Sequence, residues 1–114
     1  MNNLILALTY YTIGQALIWF QVNGQFMWEN FKNHPWVIAF LFGGISSYFF
    51  IEGTRYAYDY FNGVLWPTRF MSFSTGILIF TIFTYVFYNE GITLKTAVSL
   101  LLAVSLLCVQ LFWK

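Results

Sequence analysis

The chain has 114 residues, of which 60% are hydrophobic and 24% aromatic, while charged residues make up only 8%. A soluble domain carries about a quarter charged residues, so this composition cannot clothe a water-facing surface and argues against a soluble globular fold. A net charge of +1 argues equally against the polybasic surface that nucleic acid or anionic lipid selects.

Four nearly uncharged stretches take up most of the chain: Leu4–Trp28, Trp36–Ile51, Phe70–Asn89 and Thr96–Trp113. A helix needs roughly 20 mainly apolar residues to cross a bilayer, with about 17 as the lower limit. The second stretch reaches that limit once Pro35 is included. The expectation is an all-α polytopic membrane protein, a four-transmembrane-helix bundle forming a single domain over residues 1–114, with helices at about 4–28, 35–52, 64–89 and 95–113. Its first partner is then the lipid bilayer.

The first helix opens after Met1-Asn2-Asn3, which lacks a basic n-region, and its apolar run is longer than a signal-peptide core. It is read as a membrane helix rather than a cleaved signal. Gln15 is the polar residue nearest its middle, flanked by Gly14, with Tyr10 and Tyr11 one turn earlier. An amide in hydrocarbon needs a hydrogen-bonding partner on another helix. Two readings stand for Gln15, interhelical glue or a substrate contact in a polar cavity. Tyr10, Tyr11, Phe49, Phe50 and Phe70 are candidates for the walls of such a cavity, although aromatics facing lipid look the same in a sequence.

A hydrophilic connection, Glu29–Pro35, leads into the second helix, and Pro35 suits its first turn because a proline lacks an N–H that would go unpaired there anyway. His34, beside Pro35, reads as a surface residue. The segment Glu52–Asn62 then places Glu52, Arg55 and Asp59 among Tyr56, Tyr58, Tyr60 and Phe61. Glu52 and Arg55, three apart, can pair if the helix reaches that far. The third helix carries Pro67 and Arg69 in its first turns, ahead of twenty uncharged residues. A buried arginine costs at least ~2.5 kcal/mol in a bilayer and must be paired or hydrated. Arg69 is therefore either a snorkelling residue at the interface or an anion-binding residue facing a cavity; Glu52, Asp59 and the C-terminal region are its candidate partners.

Small residues recur on the last three helices: Gly43, Gly44, Ser46 and Ser47, then Ser72, Ser74, Thr75 and Gly76, then Ser99, Ala103 and Ser105. In lipid, close packing through such residues holds helices together, while Ser72 or Thr75 could instead line a substrate path. Trp19, Trp28, Trp36, Trp66 and Trp113 fall near helix ends, where indoles favour the headgroup level; Trp19 is the deepest of them. Cys108 is the single cysteine and reads as a small buried hydrophobe.

Four crossings place Arg55, Arg69 and Lys114 on one side and Lys32 and Lys95 on the other. This is almost no bias for the positive-inside rule to act on. Either the chain inserts both ways, which favours an antiparallel homodimer, or a partner imposes its orientation. One histidine, one cysteine and four carboxylates are too few and scattered for a catalytic triad or a metal cage. No enzyme activity, cofactor or metal is expected.

The order of these features resembles the small four-helix members of the drug/metabolite transporter superfamily, which include the small multidrug resistance proteins. The resemblance spans the chain in helix count and loop placement, and rests most on Phe87–Thr96 followed by a small-residue helix, and on Gly53-Thr54-Arg55-Tyr56-Ala57-Tyr58. It implies a homodimeric small-molecule transporter of a bacterial inner membrane, working by alternating access. Two departures qualify it. The glutamate that proton-coupled multidrug members carry in the first helix falls at Gly14-Gln15, and the paired glycines of the last helix are Ser99 and Leu106 here. Without that carboxylate, export of cationic drugs loses its coupling site. Arg69 and Arg55 favour a neutral or anionic metabolite or lipid headgroup instead. The expected substrate-binding set is Gln15, Tyr11, Arg69, Arg55 and Glu52. A different class of function, an accessory or structural subunit of a larger membrane complex, suits the missing carboxylate and the very aromatic exterior.

Overall fold

The computed structural model describes residues 2–113, so Lys114, counted above among the cations, lies outside the described residues. It shows five helices: α1 (Asn2–Asn23), α2 (Glu29–Asn33), α3 (Pro35–Tyr60), α4 (Trp66–Phe87) and α5 (Leu94–Phe112). A single 3-10 turn, Gly24–Phe26, follows α1, and no strand occurs among the described residues. Four of the helices (α1, α3, α4 and α5) are long and apolar enough to cross a membrane.

Two boundaries differ from the sequence expectation. The first helix stops at Asn23 and not near Trp28, because Gly24 sits against the Phe31 ring and the chain turns there into the short α2. An added Cβ at Gly24 would meet the Phe31 ring at 2.5 Å, so a larger residue there would force the ring to move. The second membrane helix continues from residue 52 through Tyr60. Its 26 residues span ~39 Å at about 1.5 Å per residue. That exceeds the roughly 30 Å hydrocarbon layer, so the turns bearing Arg55 and Asp59 can be helical and wet together.

Local chemistry explains the ends. Asn62 takes the left-handed conformation (φ 58°) after α3, with Gly63 next at φ 83°. The Gly63 N–H donates to the Tyr58 carbonyl at 2.9 Å and the Asn62 N–H to Asp59 at 3.3 Å, the paired bonds of a Schellman cap. Asn89 (φ 58°) repeats the left-handed exit after α4. The Thr93 hydroxyl accepts from the Thr96 N–H at 3.2 Å and caps α5.

Helix α1 lies at the centre and packs mainly on α3, then on α4; α5 packs on α4, and α3 and α4 barely touch each other. The assembly is a slab of 47 × 35 × 19 Å. Close approach of α1 and α3 depends on two glycines: a Cβ at Gly14 would stand 3.1 Å from the Phe50 ring, and one at Gly53 would stand 3.0 Å from the Tyr11 ring. Ala7, Tyr11, Ala57 and Met71 form the buried core, with Leu107 of α5 against it. Because α3 and α4 diverge over α1, a cleft remains between them.

Candidate functional site

The cleft holds a cavity of about 830 Å3, lined by Gln15 and Ile18 of α1, Phe50 and Thr54 of α3, and Leu65, Trp66, Thr68, Arg69 and Ser72 from the start of α4. Ligand pockets run to roughly 300–1,000 Å3, so a small organic solute fits. The Gln15 amide crosses from α1 and donates to the Ser72 carbonyl at 3.0 Å. That carbonyl belongs to a helix, and a glycine one turn on leaves room for the amide where it stands: a Cβ at Gly76 would lie 2.8–2.9 Å from the Gln15 amide atoms and push them aside. Gly76 and Gln15 thus form one device on the cavity wall.

Arg69 lies one turn into α4 and lines the cavity from its rim. Among the described residues it forms no hydrogen bond or ion pair, and the one salt bridge joins Glu52 to Arg55. The same end of the cavity faces the first turn of α4, whose N-terminal dipole also favours negative charge. The rest of the lining is largely apolar and aromatic, with Ile18 and Phe50 from α1 and α3, and Leu65 and Trp66 one turn before Arg69. Trp66 is 74% exposed and stacks on Phe70, with ring centroids 6.2 Å apart. The site therefore offers one cation, one amide and three hydroxyls against a hydrophobic surface, with no carboxylate among its lining residues.

The expected substrate-binding residues divide. Gln15 and Arg69, 54 positions apart, are brought to the same cavity. Tyr11 stands one step behind them: fully buried, it shares a 3.0 Å hydrogen bond with the Thr54 hydroxyl and so orients a lining residue. Glu52 and Arg55 do not line the cavity. They pair on another face of α3, where Arg55 lies 4.7 Å from the Tyr56 ring and Tyr56 stacks on Tyr10 at 5.6 Å. Tyr10 also meets Tyr48 and Phe49 there. Of the five aromatics considered for the walls, only Phe50 lines this cavity.

No family model, no curated protein and no solved structure matches this chain. The functional reading therefore stands on the site's own chemistry.

Thr54, Trp66 and Thr68 are lining residues that the sequence reading did not select. Thr54 was within reach of it, because helical spacing puts residue 54 one turn from Phe50. Trp66 was read as an interfacial anchor, and its exposure leaves that role open beside the lining one.

Proposed function

We propose that this chain is an integral membrane protein of the drug/metabolite transporter type, moving a small neutral or anionic solute, a metabolite or a lipid headgroup, by alternating access. The observation that supports this most is the meeting of Arg69, which pairs with no carboxylate among the described residues, with the Gln15 amide in one cavity of about 830 Å3. A cation-selective site would need a negative group there, and none lines it. The four apolar helices suit insertion in a bilayer, where their ends would be the interface. A homodimer in a bacterial inner membrane is the setting that the resemblance to small multidrug resistance proteins implies.

Reconstitution into liposomes tests the reading directly. Uptake of small carboxylates and phosphate esters should exceed that of organic cations, and Arg69→Ala should cut it. Flux that favours cations, or that ignores both Arg69→Ala and Gln15→Ala, would sink the assignment of this site. A second reading has one observation behind it: α5 exposes Leu94, Leu101, Leu102 and Phe112 and packs chiefly on α4. Such a face serves a partner helix as readily as lipid. Recovery of the chain inside a larger complex from mild detergent, without ligand binding, would establish an accessory subunit instead.

A further inference from the structure

Three smaller, partly open pockets follow the main cavity, two along the seam between α1 and α4 and the last between the end of α4 and the start of α5. The first, about 130 Å3, shares Gln15 and Ile18 with the main cavity and adds Trp19, Val22, Asn23, Gly76 and Phe80. The second, about 180 Å3, shares Trp19, Asn23 and Phe80 with the first, and reaches Thr84, Tyr88 and Glu90. The third, about 160 Å3, shares Phe80, Thr84 and Glu90 with the second and ends against Gly91, Ile92 and Thr96. Gln15, Asn23, Thr84 and Glu90 thus follow one another as polar side chains along a seam whose other residues are mostly apolar.

One residue stands across this series. Trp19 is 3% exposed and lines both of the first two voids. Its indole N–H donates to the Thr84 hydroxyl at 3.1 Å, joining α1 to α4. Phe20, Phe83 and Phe87 surround the ring at centroid distances of 5.2, 5.7 and 5.9 Å. A lipid-facing tryptophan at a helix end would be exposed and would find its partner in headgroups or water. This one is held inside by its aromatic neighbours and by one hydrogen bond to α4, and that bond contributes about 1 kcal/mol net. Such a bond can break and re-form during a transport cycle.

Building on the transport reading, we propose that the α1–α4 seam is the route between the Arg69 cavity and the opposite end of the bundle, with Trp19 as the residue that closes it. The mouth lies at Asn23, Thr84 and Glu90. An anionic solute at the mouth meets the Glu90 carboxylate there, which keeps it from lingering or rebinding at that point.

Thiol labelling in proteoliposomes tests the route without any substrate. In a Cys108→Ser background, Gly91→Cys marks the side of the mouth, and a membrane-impermeant methanethiosulfonate is added from that side. Phe80→Cys, on the seam, should react, whereas Leu101→Cys, exposed on α5, should not. Ser72→Cys, in the main cavity, should react slowly from that side in the parent. Its rate should rise about fivefold when the latch bond is removed by Thr84→Val, a substitution that leaves the aromatic packing in place, and further with Trp19→Ala. Equal reactivity of Phe80→Cys and Leu101→Cys, or an unchanged Ser72→Cys rate in both latch variants, overturns the route. The expected labelling pattern in vesicles that carry no solute flux overturns the transport reading alone.

Discussion

Arg69 meets no counter-ion among the described residues, and its charge is therefore available to whatever enters the cavity. A charge-assisted hydrogen bond contributes about 1.5–3 kcal/mol, so Arg69→Ala should weaken an anionic ligand by roughly 10- to 100-fold. Arg69→Lys should recover only part, since a point charge lacks the bidentate fork; titration calorimetry in detergent measures both. Arg55 makes a contrasting case. It is paired with Glu52 away from the cavity, and exposed pairs are worth up to ~1 kcal/mol. Arg55→Ala should leave ligand affinity unchanged and shift the unfolding midpoint only slightly. For Gly76, steric logic gives a double-mutant test. Gly76→Ala should destabilise the bundle by about 1 kcal/mol, because the Gln15 amide must move off the Ser72 carbonyl, and by clearly less in a Gln15→Ala background. Equal costs in both backgrounds, read from denaturant titrations in mixed micelles, would mean that the amide is not what Gly76 accommodates.

At the level of elements, the caps carry the next expectation. Asn62 holds a left-handed backbone at the end of α3, a conformation that costs a β-branched residue about 1–2 kcal/mol. Asn62→Val should lower stability by that amount, while Asn62→Gly should be close to neutral, as thermal unfolding in detergent would show. The four long helices were legible in the sequence because length and apolarity alone decide whether a segment can span hydrocarbon. The end of α3 was not. Glu52, Arg55 and Asp59 read as a break, yet the helix satisfies Glu52 and Arg55 by pairing them one turn apart. The site was half legible. A lone amide and a lone arginine in apolar runs stand out by chemistry. Which aromatics face inward did not, since the helices are nearly apolar all round and no periodicity marks a preferred face. Trp19 shows the limit clearly: its position resembles an interfacial anchor, and only the neighbouring α4 makes it an interior residue.

For the molecule as a whole, the balance of cations sets an expectation about orientation. Arg55 and Arg69 at one end face Lys32 and Lys95 at the other, so in a bilayer neither end is strongly retained inside. Replacing Asn30 and Asn33, in and at the end of α2, with lysine should place the α2 end in the cytoplasm uniformly. Sided labelling of Gly91→Cys would report it; a population still mixed after that change would show that something other than loop charge orients the chain.

Of the four long helices α1 leaves the ribosome before the others, yet its amide finds its partner, the Ser72 carbonyl, 57 residues later. At roughly 5–20 residues per second that interval lasts about 3–11 seconds. Throughout it Gln15 has no α4 to bond, and Trp19 has no Thr84. The nascent chain thus holds its central helix unsatisfied for seconds, a span in which translocon walls, insertion chaperones or a neighbouring chain can occupy the same groups. Synthesis rate and the supply of such holding factors can then affect how much of this protein reaches its native arrangement.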